Sequence, residues 1–303
     1  MEHPRMRIGI FGGEASIDEL LTMARTAESD GFDSFWLPQI FGLDALSILT
    51  LIGHEVPRIE LGTAVVPTYP RHPAMLAAQA LTVAAASGGR LTLGIGLSHQ
   101  MVIEDMFGYS FDKPVRHMAE YLSVLVPLLE GEAVNFEGET VTARIGLGVP
   151  GAKPVPVLVA ALGPQMLKLA AERAAGTVTW MTGPRTLGEH TVPTINAAAE
   201  AAGTGDMRVV GALPVAVTDD VDHYRGRAAK IFEMYGHLPS YRAMLDREGA
   251  AGPADVALIG DAATVRSGIE SMRDAGVTDF VAVPFVREDP VATATNEVLR
   301  EFL

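Results

Sequence analysis

The chain has 303 residues, 48% of them hydrophobic, no cysteine and a formal net charge of −14. It is long and apolar enough to bury a full core, and without cysteine it has no disulfide, zinc–thiolate site, iron–sulfur cluster or thiol nucleophile. The acidic balance argues against nucleic acid and anionic lipid as partners. No apolar run reaches the ~18 residues of a membrane span. Met1–Arg7 has no apolar signal core, so a cytoplasmic protein with a small-molecule partner is expected.

Short apolar runs alternate with longer helical ones. Arg7–Phe11 reads as the first strand. A helix follows over Ser16–Asp30: Ser16 and Glu19 form a capping box, Leu20, Leu21, Ala24 and Ala27 share a face, and Gly31 ends it. Ser34–Leu37 is the second strand, with a helix over Asp44–Gly53. Ile59–Val66 is the third, followed by the Ala-rich helix Pro73–Ala86 with proline in its first turn. Leu91–Gly96 and Pro114–Leu129 make the fourth pair, Val155–Ala160 and Pro164–Ala175 the fifth, Thr177–Met181 and Leu187–Ala202 the sixth. Val209–Val217 is the seventh strand, with helical stretches over Val221–Tyr235, Tyr241–Glu248 and Ala262–Ala275. Phe280–Pro284 and Asp289–Phe302 close the chain.

Strands that each lead into a helix predict a (β/α)8 TIM barrel, a single domain over residues 1–303. The continuous apolar runs fit parallel strands buried on both faces. The alternative, a doubly wound open sheet, lacks a G-x-G-x-x-G after strand one. Two segments fall outside the pattern. Ala133–Ala143, turning at Glu137-Gly138-Glu139, reads as a small hairpin. Tyr235–Asp261 is too long for a plain connection between strands seven and eight and is expected to form a helical lid over the mouth.

Barrel enzymes carry their chemistry at the C-terminal ends of the strands. Gly12 and Gly13 after strand one would let a flat ligand approach the backbone, or make a tight turn. Gln39 is placed to bond a heterocycle edge, with Trp36 and Phe41 as walls or as core. Arg71 and His72 precede a helix start and could face an anion, or solvent. Strand four ends Gly94-Ile95-Gly96-Leu97-Ser98-His99. Glycine inside a buried strand signals close approach of something planar, and Ser98 and His99 fall at the rim. Strands five and six end in Leu162-Gly163-Pro164 and Met181-Thr182-Gly183-Pro184. These two Gly-Pro turns into helix starts are expected anion pockets, with Arg185 close to the second. There is no H-E-x-x-H, nucleophile elbow, Walker loop or carboxylate pair, so no metal is expected. A mouth of glycines and neutral polar groups suits a large planar redox cofactor that brings its own chemistry.

These residues resemble the luciferase-like monooxygenase family. The likeness lies in Ile59-Glu60-Leu61-Gly62-Thr63-Ala64-Val65-Val66-Pro67 with Pro73 and Ala77-Ala78-Gln79-Ala80, and in Gly89-Arg90-Leu91-Thr92-Leu93-Gly94-Ile95-Gly96. It continues through Phe111, Glu120 and Gly131, Phe136-Glu137-Gly138, Leu162-Gly163-Pro164 and Gly260-Asp261. Within the family the chain is most similar to the actinobacterial branch that uses the deazaflavin coenzyme F420. The resemblance implies an oxidoreductase moving a hydride between reduced F420 and a small organic substrate, such as an unsaturated carbonyl compound, and it implies a homodimer. It also implies a non-prolyl cis peptide at Ala64–Val65 backing the deazaflavin. Gln39, Gly96, Leu97, Ser98, His99, Met181, Thr182 and Gly183 would contact the cofactor, whose phosphate would lie near Thr182-Gly183-Pro184.

The departures narrow the substrate. The branch's sugar-phosphate dehydrogenases carry an acidic–His pair where this chain has Gln39 and Ile40. Their acid after strand four falls on His99, and Pro184 replaces a phosphate-binding lysine. A sugar phosphate is therefore not expected. His99 becomes the candidate proton donor or substrate clamp, and an imidazole near its normal pKa could supply a proton at neutral pH. Tyr235 and Tyr241 are candidate lid residues over the substrate. Two alternatives stand: an FMN-dependent monooxygenase of the same family, and a non-catalytic carrier or sensor that binds F420 or a flavin.

Overall fold

In the computed structural model, which describes residues 5–303, the apolar runs pair in parallel. In chain order the strands are β1 (Arg7–Phe11), β2 (Ser34–Leu37), β3 (Glu60–Thr63), β4 (Val66–Pro67), β5 (Leu91–Gly96), β6 (Val134–Glu137), β7 (Thr142–Ile145), β8 (Val157–Ala160), β9 (Gly176–Trp180), β10 (Arg208–Val217), β11 (Leu258–Gly260) and β12 (Asp279–Pro284). Pairing runs β10-β12-β1-β2-β3-β5-β8-β9, and β9 returns to β10. That closes an eight-stranded (β/α)8 barrel. The antiparallel hairpin β6–β7 stands apart from it, as expected.

The helices are α1 (Ile17–Asp30), α2 (Ala45–Glu55), α3 (Pro73–Ser87), α4 (Pro114–Leu129), α5 (Pro164–Arg173), α6 (Pro184–Thr186), α7 (Val192–Ala202), α8 (Val221–Ile231), α9 (Glu233–His237), α10 (Pro239–Glu248), α11 (Ala262–Asp274) and α12 (Val291–Arg300). Local chemistry sets many of their ends. The Ser16–Glu19 capping box is formed, and Gly31 takes the left-handed conformation that ends α1. Among the described residues, no helix is long and apolar enough to cross a membrane.

The structure differs from the sequence expectation in four places. The third strand is not continuous: it breaks at a bulge, Ala64–Val65, whose peptide bond is cis as the resemblance implied. The helix expected over Val221–Tyr235 breaks at Phe232, whose buried ring packs edge-on against Trp180 and Phe285. The helix expected from Leu187 starts at Pro184 and passes through a π-helical turn, Leu187–Thr191, into α7. Short strand β11, hidden within the connection to strand eight, pairs with the upper part of β10 on the edge that β9 occupies lower down.

Two apolar layers result. One lies between strands and helices; the other fills the barrel axis with Trp36, Leu158, Val178, Val210, Ala212, Val281 and Val283. Below Trp36, residues at the N-terminal ends of the strands form a charged layer. Arg208 donates to both oxygens of Asp279 at 2.9 and 2.7 Å and pairs with Glu60 at 2.7 Å, while Arg7 bridges Glu60 and Asp279. Despite desolvation, the two carboxylates hold the Arg208 pKa above its ordinary value. Its guanidinium lies 5.7 Å from the centre of the Trp36 ring.

Candidate active site at the barrel mouth

Inward-facing positions alternate along each strand. The lower ones are filled, but Phe11, Ala64, Val65, Ala160 and Trp180 at the upper ends are only half-buried. The top of the barrel is therefore an apolar, partly open mouth, called the cleft below. Trp36, expected as a wall or as core, is fully buried core beneath it, and Phe41 is 62% exposed and walls nothing.

The glycines of strand four serve the chain itself. A Cβ on Gly94 would stand 2.0 Å from the Thr63 carbonyl oxygen, and one on Gly96 2.7 Å from Cγ2 of Val65. Their space is taken by the bulge, not by a planar ligand. The Thr63 hydroxyl donates to the Gly94 carbonyl at 2.8 Å and accepts from the Gly94 N–H at 2.9 Å, which pins the bulge. Gly12 is likewise a packing glycine, with Phe35 and Leu37 filling its Cβ position. The bulge carries Ala64 and Val65, both half-buried, to the cleft.

On the rim, His99, Tyr241, Tyr235 and Trp180 form a row of edge-packed rings. Successive centroids are 5.9, 5.0 and 5.9 Å apart. Tyr235 and Tyr241, from the connection between strands seven and eight, thus meet His99 after β5 and Trp180 at the end of β9. Burial pushes the pKa of His99 below its ordinary value and the tyrosine pKa values up. All three groups are neutral at pH 7. His99 is therefore a weaker proton source than an imidazole of ordinary pKa. Ser98 and Met181, at φ 62° and 52°, turn the chain sharply just after β5 and β9.

Several polar candidates are engaged elsewhere. Gln39 accepts the Ala45 N–H at 2.8 Å, capping α2. Arg71 is bonded to Asp44. His72 caps α3 through Nδ1 and meets the Thr142 carbonyl through Nε2 at 3.1 Å, so it is not set up as an anion clamp, whereas Arg71 keeps Nη1 buried without a partner.

The two Gly-Pro helix starts differ. At the second, the Glu248 carboxylate, from the end of lid helix α10, accepts the Arg185 and Thr186 N–H groups at 3.1 and 2.7 Å. It fills the space over Gly183, where a Cβ would lie 2.3 Å from the carboxyl carbon. Met181 and Thr182 are buried, and the Thr182 hydroxyl donates to the Trp180 carbonyl. The expected phosphate pocket at Thr182-Gly183-Pro184 is thus closed by a carboxylate of the protein. At the first, Gly163 caps α5 without any side-chain partner and nothing lies within 4 Å of its Cβ position. His190 fixes this turn by bonding the Leu162 carbonyl at 2.9 Å.

Trp180, Phe232, Phe285 and Glu248 were not among the sequence candidates. The period-two step from Val178 to Trp180 marks the tryptophan as inward-facing; no local pattern marks Glu248. Among the described residues, no group of three His, Cys, Asp or Glu side chains is set to hold a metal.

The family model for luciferase-like monooxygenases matches residues 5–279. A 5,10-methylenetetrahydromethanopterin reductase of Archaeoglobus fulgidus is 31% identical over 258 residues, covering 82% of this chain and 75% of that protein. An F420-dependent secondary alcohol dehydrogenase, solved with an F420–acetone adduct, superposes with a TM-score of 0.81 at 21% identity over 99% of this chain and 98% of that one. The oxygenating constituent of 3,6-diketocamphane monooxygenase from Pseudomonas putida, solved with FMN, gives 0.75 at 18% identity over 98% and 96%. The chain belongs to the luciferase-like monooxygenase family, and one relative, of Mycobacterium tuberculosis, 30% identical over 202 residues, carries the name putative coenzyme F420-dependent oxidoreductase.

Proposed function

We propose that the protein is an F420-dependent oxidoreductase that moves a hydride between the reduced deazaflavin and a small organic substrate, such as an unsaturated carbonyl compound. The observation that carries this is the pairing of half-buried apolar side chains at the barrel mouth, Phe11, Ala64, Val65, Ala160 and Trp180, with the helix start at Gly163, which has no side-chain cap. A flat ring fits the first and a phosphate the second. When bound, F420 supplies the hydride. The backbone at Leu162 and Gly163 and the first N–H groups of α5 would hold its phosphate, with Gly96, Leu97 and Ser98 along its edge. Tyr235 and Tyr241 close the cleft from water. His99, neutral through burial, donates a hydrogen bond to substrate, which favours a clamp over a proton donor. The exposed side chains of Met101, Met106 and Phe107, close together in the chain after β5, would gain from cover by a second copy, in keeping with a homodimer.

The test is cofactor affinity, with F420 and FMN titrated side by side by fluorescence. F420 should bind tighter by about tenfold or more, equal to about 1.4 kcal/mol. Tighter FMN binding would replace this reading with the monooxygenase. Tight F420 binding with no oxidation of reduced F420 by any of a panel of unsaturated ketones would make the protein a carrier.

A further inference from the structure

The protein has two tryptophans. Trp36, in the barrel axis, donates its indole N–H to Ser34 Oγ at 2.7 Å. The N–H of Trp180 is equally shut from solvent and meets no acceptor in hydrogen-bond geometry. The Tyr235 hydroxyl lies close to it but outside hydrogen-bond geometry, and a buried donor left this way can take up a ligand oxygen that enters beside it. Trp180 stands at the top of β9 on the inward face, its ring half-buried in the cleft. Lid residues Phe232 and Tyr235 meet it edge-on at 5.6 and 5.9 Å. Burial raises the pKa of Tyr235, and the Trp180 N–H close to its hydroxyl opposes that rise. Tyr235 therefore keeps its proton at neutral pH and is a second neutral donor beside the first.

We propose that the Trp180 indole N–H, with the Tyr235 hydroxyl beside it, is the docking point for the carbonyl oxygen of a neutral, apolar-bodied substrate. The assignment rests on the reductase reading above and fixes which end of the substrate faces the lid. The rings packed on the indole, Phe232 and Tyr235, and Phe285 behind Phe232, bring no charge to balance a carboxylate or phosphate. A ketone satisfies the waiting donor, whereas a hydrocarbon of the same shape leaves it unpaired. Selection of this kind rests on the polar group that the wrong ligand cannot satisfy. In the closed position the lid shields the N–H, so Tyr235 moves aside to admit the ligand and returns onto it.

The test uses protein carrying 15N-labelled tryptophan and saturated with oxidised F420. The two indole signals are assigned with Trp180→Phe, which keeps a ring and removes the N–H. Titration with 2-cyclohexen-1-one should move the Trp180 signal downfield and leave that of Trp36 in place; cyclohexene should produce no downfield shift. Trp180→Phe should weaken binding of the ketone by about tenfold and leave cyclohexene binding within about twofold, since only a hydrogen bond is lost. Tyr235→Phe should also weaken the ketone selectively. The proposal is overturned if the ketone binds with the Trp180 signal unmoved, if Trp180→Phe binds it as tightly as the wild type, or if no ketone binding occurs. If F420 itself fails to bind, the reductase reading falls, while the same titration on cofactor-free protein still decides the role of Trp180.

Discussion

Replacing Glu248 with alanine removes the carboxylate that ties lid helix α10 to the start of α6. The tie consists of two backbone N–H groups donating to one carboxylate at 3.1 and 2.7 Å. A hydrogen bond to a charged group contributes about 1.5–3 kcal/mol net when well shielded. Glu248 is half-buried, so solvent reduces this, and about 2 kcal/mol for the pair is a fair value. Lost from the local opening equilibrium of the lid, that equals a change of about 30-fold. Hydrogen exchange followed by mass spectrometry reads it directly. Peptides over α9 and α10 should exchange about 30-fold faster in Glu248→Ala, while peptides over β5 and β10 keep their rates. Gly183→Ala should loosen the lid in the same direction, because its new Cβ would press on the Glu248 carboxyl carbon 2.3 Å away. Unchanged lid exchange in Glu248→Ala would refute the latch.

Three further outcomes are expected. Gly62→Ala would set a Cβ 2.2 Å from the fully buried Trp36 ring and should destabilise the fold by about 3 kcal/mol in urea; Gly226→Ala in α8, with nothing within 4 Å, should instead stabilise it by about 0.5–1 kcal/mol. His117, stacked on Tyr69 at 4.0 Å, has its pKa lowered by burial, with Glu120 opposing. The fold favours its neutral form, so this contribution is complete above the unfolded value of about 6.5 and is lost as pH falls toward the folded pKa; His117→Gln should flatten the decline in stability between about pH 7 and 5. For the rim histidine, His99→Ala should raise the substrate KM by about tenfold with kcat held within about threefold; a fall in kcat of about 100-fold at constant KM would make it the proton donor instead.

The parts of the fold read correctly from the sequence are those fixed by neighbours along the chain. The apolar runs Arg7–Phe11 and Leu91–Gly96 and the Ser16–Glu19 cap carry their own instructions within a few residues. The site was less legible because its decisive contacts are long-range. Glu248 meets Thr186 across 62 positions, and no spacing rule announces that a lid carboxylate will close a helix start. Gly94 and Gly96 announced a close approach, but a glycine does not say what approaches; here it was the chain's own bulge. Arg71 gives one guanidinium nitrogen to Asp44, a partner that no local pattern announces. Trp180 was visible by its alternation with Val178, yet its unpaired N–H emerges only when every potential acceptor has a position.

The two strand-four glycines differ in how freely descendants of this protein can lose them. At Gly96 the nearest obstacle is a side chain, Cγ2 of Val65, so a second change such as Val65→Ala makes room for a single Cβ, with that of Ala160 still 3.2 Å away. At Gly94 the obstacle is the Thr63 carbonyl oxygen, which every amino acid carries. No substitution at position 63 moves it aside while the bulge persists. Position 96 can therefore drift together with position 65 and reshape the cleft by paired steps. Position 94 has no such partner and stays locked for as long as the lineage keeps the bulge.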